Sequence, residues 1–170
     1  MTLIEDRLAR GLGQAAGFTQ IDWVRERLTV AAILLEHGKI FAGIAEILAA
    51  LKRQGITLAI VSGAYSAVLE LLRESNLLEM FDAVILGGDV SKPKPDPEGI
   101  RKCLQQLGIA PGAALYVGDT PIDVQTSRAA GVYSVGVLTG AGTSANLSAQ
   151  SPDRLIGTLA GLLDCIEPIE

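Results

Sequence analysis

Short apolar runs alternate with segments of helical periodicity along most of this chain, and this alternation restricts the possible fold more than any other feature. Four apolar runs are predicted strands: 56–61 (ITLAIV), 81–86 (FDAVIL), 113–117 (AALYV) and 132–137 (VYSVGV). Predicted helices lie between and around them, at 44–53, 66–75, 99–107, 122–130 and 155–166. Strands and helices that alternate with short connections are typical of right-handed βαβ units. We therefore predict an α/β fold with a parallel sheet that is covered by helices on both faces.

Composition and charge narrow the class of protein. The chain has 170 residues, of which 49% are apolar, and its formal net charge is −5. These values exclude a disordered chain, and the negative charge argues against a nucleic-acid binder, which usually carries a basic surface. Cys103 and Cys165 form neither a disulfide framework nor a zinc motif, so we predict buried thiols in a reducing compartment. No signal peptide pattern or membrane-spanning run is found, and we predict a cytoplasmic protein without a membrane partner.

Polar side chains follow three of the predicted strands. In parallel sheets of this kind, ligands bind beyond the carboxyl ends of the strands. Ser62 and Gly63 follow the first predicted strand, where a hydroxyl and backbone amides could hold an anion. The second predicted strand leads to the segment 91–97 (SKPKPDP), whose three prolines stiffen the backbone and could aim a lysine at a fixed point. Alternatively, these two segments are an ordinary turn and a rigid loop with solvated lysines.

Two carboxylates follow the third predicted strand, in Gly118-Asp119-Thr120-Pro121-Ile122-Asp123. Thr120 can cap the next helix and Pro121 can open it, which places Asp123 in the first helical turn. Two converging carboxylates are hard oxygen ligands suited to Mg²⁺. The alternative is a capped helix whose acidic first turn is favoured by the helix dipole. A hydroxyl, a lysine and an acid pair together would suit the binding of a phosphoryl group.

Three segments together resemble the haloacid-dehalogenase-like hydrolase superfamily, in particular its phosphoglycolate phosphatase-like branch. They are GIAEILAALKRQGITLAIVSG (43–63), FDAVILGGDVSKPKPDP (81–97) and ALYVGDTPIDVQTSRAAGV (114–132). The resemblance implies a Rossmann-like core, Mg²⁺ as cofactor and a small phosphorylated metabolite as ligand. It also implies that Ser62, with Gly63, binds phosphate, that Lys92 neutralises its charge, and that Asp119 binds the metal with support from Asp123. Lys94 falls at the variable position of the Lys-Pro-x-Pro motif in this alignment.

The chain departs from the family at its N-terminal part. Members begin with an apolar strand that ends in Asp-x-Asp-Gly-Thr, whose first Asp is the nucleophile, and no Asp-x-Asp occurs in these 170 residues. In one interpretation, residues 1–40 are a helical cap-like segment, residues 41–170 are the core, and the nucleophile strand precedes Met1. In the other, residues 28–35 are a degenerate first strand, Leu35 stands at the nucleophile position and His37 at that of the general acid. We favour a helix over 23–37, with His37 near its end and Trp23 as a packing residue.

The resemblance and the missing motif lead to two functional hypotheses. The first is a Mg²⁺-dependent phosphatase of small phosphate monoesters, inactive as this chain stands because the covalent aspartyl-phosphate step has no nucleophile. The second is a pseudo-phosphatase that binds phosphate or regulates without catalysis. The oligomeric state cannot be derived from these residues.

Overall fold

A computed structural model of the protein describes residues 29–31, 35–36, 39–40, 43–63 and 67–166. Its main feature is a six-stranded sheet in which every neighbouring pair is parallel. In the described residues the strands, in chain order, are β1 (Thr29–Ala31), β2 (Leu35–Glu36), β3 (Lys39–Ile40), β4 (Thr57–Val61), β5 (Ala83–Ile85), β6 (Ala114–Gly118), β7 (Tyr133–Val137) and β8 (Arg154–Ile156). The six-stranded sheet has the order β5-β4-β1-β6-β7-β8, and β2 and β3 form a separate antiparallel pair.

Helices connect the strands of the sheet, as the alternating pattern predicts. The α-helices of the described residues are α1 (Ile44–Arg53), α2 (Ala67–Glu74), α3 (Glu98–Leu107), α4 (Pro121–Ala130) and α5 (Ser144–Ser148). Short 3₁₀ helices lie at Leu78–Met80, Gly87–Asp89, Pro111–Ala113 and Leu159–Leu162. The four predicted strands and the four helices predicted between residues 44 and 130 are confirmed to within two residues at each boundary. None of the helices in the described ranges is long and apolar enough to cross a membrane.

Both faces of the sheet are covered, because successive residues of each strand point to opposite sides. On β4, Leu58 and Ile60 enter one apolar core together with α1, whereas Ala59 and Val61 enter another together with α3. β6 divides in the same way, and its Tyr116 belongs to the core under α3. This double burial explains why these strands are continuous apolar runs rather than alternating ones.

The helix predicted over 23–37 is wrong where the structure describes that stretch. Thr29–Ala31 forms strand β1, which pairs with β4 on one side and β6 on the other. Its β-branched residues favour an extended backbone, and the strand fills a place that would otherwise leave two paired edges exposed. These three residues thus adopt the strand alternative. His37, Trp23 and residues 1–28 lie outside the described residues, so a cap-like segment and the division near residue 40 stay predictions.

The helix predicted over 155–166 is also wrong. Arg154–Ile156 pairs with β7 as an edge strand, and up to residue 166, where the described part ends, the only helix that follows is the short 3₁₀ helix Leu159–Leu162. Gly157 and Gly161 interrupt this stretch, and glycine disfavours a helix interior. Leu159 and Leu162 nevertheless reach the core under α1, which accounts for the apolar periodicity that suggested a helix.

Candidate functional site

The polar residues that follow β4 and β5 meet at one edge of the sheet, around a cavity of about 230 Å³. Ser62 and Gly63 line it directly after β4, and Lys92 and Lys94 line it from the segment after β5. The Ser62 amide donates to the Ile85 carbonyl at 2.9 Å, which joins the ends of the two strands. The predicted phosphate-binding residues therefore share one cavity at the carboxyl ends of the strands.

The two lysines of this cavity differ sharply in their surroundings. The Lys94 ammonium donates to Asp123 Oδ1 at 2.8 Å and to the Tyr116 hydroxyl at 2.5 Å, and its side chain is 17% exposed. The Lys92 side chain is 70% exposed, and its ammonium lies 4.0 Å from the Asp96 carboxylate. The structure thus pairs Lys94 with Asp123, whereas the family resemblance makes Lys92 the lysine that neutralises the phosphate charge. Because Lys94-Pro95-Asp96-Pro97 also reads Lys-Pro-x-Pro, the motif alone admits both lysines.

Asp123 is almost fully buried, and its contacts explain how a carboxylate is tolerated there. At the start of α4, Asp123 and Thr120 form a reciprocal capping box that uses the backbone amide and the Oδ2 of Asp123. Thr120 donates to Oδ2 from its own amide at 3.1 Å and from its hydroxyl at 2.6 Å. Oδ1 accepts from Lys94 and lies 3.3 Å from the Tyr116 hydroxyl. Both oxygens are therefore engaged, which satisfies the rule that buried charges need hydrogen bonds and a counter-ion. Thr120 caps the helix, as one interpretation of this segment predicts, and the other interpretation, in which Asp123 supports a metal, stays a prediction.

Asp119 is held by a loop that sequence reasoning missed. The residue is 8% exposed, and its Oδ2 accepts the Ala141 amide at 2.8 Å. A Cβ atom on Gly140 would overlap with that same oxygen, and one on Gly142 would overlap with the Asp119 carbonyl. The loop after β7 can approach Asp119 this closely only because both positions are glycine. The signal in the sequence was Gly-Ala-Gly shortly after a predicted strand.

A Mg²⁺ ion of the kind the family resemblance implies would need several free oxygen ligands. Among the described residues no group of three His, Cys, Asp or Glu side chains converges to hold a metal. Asp123 is already paired with Lys94, and one oxygen of Asp119 is occupied by Ala141. The described side chains therefore do not fit Mg²⁺ as a complete site, and the assignment of Asp119 and Asp123 as its ligands stays a prediction.

Glu98, the first residue of α3, fixes the backbone of the lysine-bearing segment. Its carboxylate accepts the Ser91 amide at 2.8 Å, the Ser91 hydroxyl at 2.7 Å and the Lys92 amide at 2.9 Å. The hydrogen bonds from Ser91, above all the one from its amide, lower the pKa of Glu98. The segment is thus tied at its start by Glu98 and at Lys94 by Asp123.

We expect the substitution Glu98→Gln to lower the melting temperature at neutral pH, with an effect that fades in acid. A lowered folded-state pKa means that the carboxylate stabilises the fold above its ordinary pKa of 4.5, and that this contribution is lost as the pH falls through the folded value. The melting temperatures of the two proteins should therefore converge between neutral pH and about pH 3. Glu46→Gln is the matched control, because Glu46 also lies in the first turn of a helix. A pH-independent difference for Glu98→Gln would contradict this account.

The strand order of the sheet, with a lysine and two carboxylates at its carboxyl edge, is a combination that can be compared with known protein families. The family model described as haloacid dehalogenase-like hydrolase matches residues 6–137. The chain belongs to this family. The resemblance inferred from the three sequence segments is therefore confirmed, and so is the fold class.

Particular relatives point to one branch of the family. The chain is 32% identical to a phosphoglycolate phosphatase of Pseudomonas putida over 131 residues, which cover 76% of this chain and 48% of that protein. It is also 32% identical to a phosphoglycolate phosphatase of Escherichia coli over 128 residues, 75% of this chain and 51% of that protein. A crystal structure of a HAD phosphatase from Thermococcus onnurineus matches with a TM-score of 0.69 and 28% identity, covering 76% of this chain and 59% of that one. The chain is thus phosphoglycolate phosphatase-like, and it spans about half the length of these two curated relatives.

Proposed function

We propose that this chain binds the phosphoryl group of a small phosphorylated metabolite and that, as it stands, it does not hydrolyse it. The observation that carries this proposal is the cavity at the carboxyl ends of β4 and β5, which Ser62, Gly63, Lys92 and Lys94 line together. A hydroxyl, backbone amides and ammonium groups are the donors that bind phosphate oxygens in proteins. Ser62 and Gly63 would donate hydrogen bonds, and Lys94 would supply the positive charge.

The hydrolytic step is the part of the family's chemistry that this chain lacks. A covalent aspartyl-phosphate intermediate requires a carboxylate nucleophile, and the sequence has no Asp-x-Asp motif. Asp123 is unsuited to that role because Lys94 and Thr120 engage both of its oxygens. Mg²⁺ would meet mainly Asp119, and we expect its binding to be weak. The alternative, a Mg²⁺-dependent phosphatase of small phosphate monoesters, is favoured by the names of the relatives.

The relatives suggest a ligand class and a setting. A small phosphorylated acid of the phosphoglycolate type is the first candidate, since the curated relatives are phosphoglycolate phosphatases. We place the protein in the cytoplasm, with neither nucleic acid nor membrane as a partner, on the basis of its acidic charge and its two unpaired cysteines.

Two measurements on the purified chain test this proposal. We expect isothermal titration with inorganic phosphate and with 2-phosphoglycolate to show saturable binding, and p-nitrophenyl phosphate with Mg²⁺ to give no turnover above the background without enzyme. Turnover that Asp119→Asn abolishes would refute the proposed inactivity and support the phosphatase alternative. A lack of binding at millimolar concentrations of both ligands would refute the proposed phosphate site.

A further inference from the structure

Tyr116 is the largest fully buried side chain on the central strands β4 and β6, and its hydroxyl points toward the site. It is 2% exposed, and its hydroxyl oxygen lies 2.5 Å from the Lys94 ammonium, 3.1 Å from the Val61 carbonyl and 3.3 Å from Asp123 Oδ1. In the sequence this residue stands out only as part of an apolar strand. Phenylalanine could fill the same volume, so packing alone does not require the hydroxyl.

The hydrogen bonds of the hydroxyl connect three elements of the site. Tyr116 accepts from Lys94, which arrives on the proline-rich segment, and it can donate its single proton to Val61, the last residue of β4, or to Asp123 on α4. The ammonium nitrogen lies 5.2 Å from the ring centroid, on the hydroxyl side of the ring, so the hydrogen bond is the main contact between the two side chains.

Burial, reinforced by the neighbouring Asp123 charge, raises the pKa of Tyr116 well above its usual value. The phenol therefore stays neutral and keeps its proton for a carbonyl or carboxylate acceptor. A buried hydroxyl without hydrogen-bond partners would destabilise the core. The Tyr116 hydroxyl has such partners, namely the Val61 carbonyl at the end of β4 and the ion pair of Lys94 and Asp123.

We propose that Tyr116 is a positioning residue, whose hydroxyl holds the Lys94 ammonium between Asp123 and the cavity so that it can meet an anion. This proposal rests on the proposed phosphate site, and it assigns Tyr116 no contact with the ligand. Without the hydroxyl, one Lys94 N–H loses its acceptor and the flexible side chain gains alternative orientations. The ammonium would then point to the cavity in a smaller fraction of the side-chain orientations.

A double-mutant cycle tests whether Tyr116 acts through Lys94. We expect Tyr116→Phe to weaken phosphate binding about tenfold, the effect of one hydrogen bond to a charged group. In the Lys94→Met background the same substitution should leave the remaining affinity unchanged. Tyr133→Phe is the matched control, because Tyr133 lies on the neighbouring strand β7 but packs on the opposite face of the sheet, against the core under α1. Equal losses in both backgrounds, or no loss in the wild type, would overturn the proposal.

A second measurement separates failure of this proposal from failure of the phosphate site, because it needs no ligand. Reductive methylation with formaldehyde, followed by peptide mass spectrometry, reports how freely each lysine reacts. We expect Lys94 to react several-fold faster in Tyr116→Phe than in the wild type, while the exposed Lys92 in the same peptide region is unchanged. An unchanged Lys94 rate would overturn the positioning role even if phosphate binds. An increased Lys94 rate together with no phosphate binding would support the positioning role of Tyr116 and refute only the proposed phosphate site.

Discussion

Lys94→Met is expected to abolish most of the phosphate affinity of this chain. Loss of a charge-assisted interaction with the ligand corresponds to about 2 kcal/mol of binding free energy, roughly a thirtyfold rise in Kd. The substitution should also destabilise the fold, because it leaves the buried Asp123 carboxylate without its counter-ion at 2.8 Å. Isothermal titration and thermal unfolding of the same variant measure the two effects.

Two control variants separate the ligand effect from the fold effect. Lys92→Met removes the same charge from the same cavity, but Lys92 is exposed, so we expect a much smaller change in Kd and in stability. The double variant Lys94→Met/Asp123→Asn removes the unpaired charge and should recover stability without recovering binding. Equal losses of affinity for Lys92→Met and Lys94→Met would contradict the selection of Lys94 as the principal cation.

Gly118→Ala is expected to cause a large loss of stability. A Cβ atom at this position would overlap with Asp123 Cβ and lie 2.7 Å from its Cγ. Gly118 is the last residue of β6, and Asp123 lies in the first turn of α4, so strand and helix would have to separate. Overpacking of this kind destabilises by about 3 kcal/mol, and it would displace the capping box together with the acid.

The matched control for this substitution is Gly157→Ala. Gly157 follows β8 and is exposed, and a Cβ atom added there would have no neighbouring heavy atom within 4 Å. The free energy of unfolding should therefore change by less than about 0.5 kcal/mol. Chemical denaturation of both variants measures the difference. Similar stabilities for the two alanine variants would show that α4 does not pack on β6 as closely as described.

Much of the sheet follows from the sequence because its strands are buried on both faces. Residues 56–61 and 113–117 could be recognised as strands since continuous apolar runs are typical of parallel sheets under two helical layers. The polar residues that end these strands could then be placed at one edge. Ser62 and Asp119 required only this general rule about where ligands bind in such folds.

Other features depend on tertiary pairing that a local pattern does not encode. Thr29–Ala31 is a strand because two flanking strands need a partner, and Arg154–Ile156 is one because β7 has a free edge. Helical periodicity in both stretches gave the wrong prediction, since tertiary pairing overrides weak local propensity.

The choice between the two lysines depended on side-chain geometry. Both Lys92 and Lys94 fit the motif, and only the distances to Asp123 and Tyr116 separate them. The loop at Gly140 and Gly142 could not be linked to the site for a similar reason. Its contact with Asp119 joins residues more than twenty positions apart in the chain.

The most direct test of the phosphate site is a titration of the ¹⁵N-labelled chain with inorganic phosphate, followed by two-dimensional amide NMR. We expect saturable shifts centred on the amides of Ser62, Gly63 and Lys94, which line the cavity, and their loss in Lys94→Met. Amide signals that stay unchanged at millimolar phosphate, or that shift only away from this cavity, would contradict the proposed site.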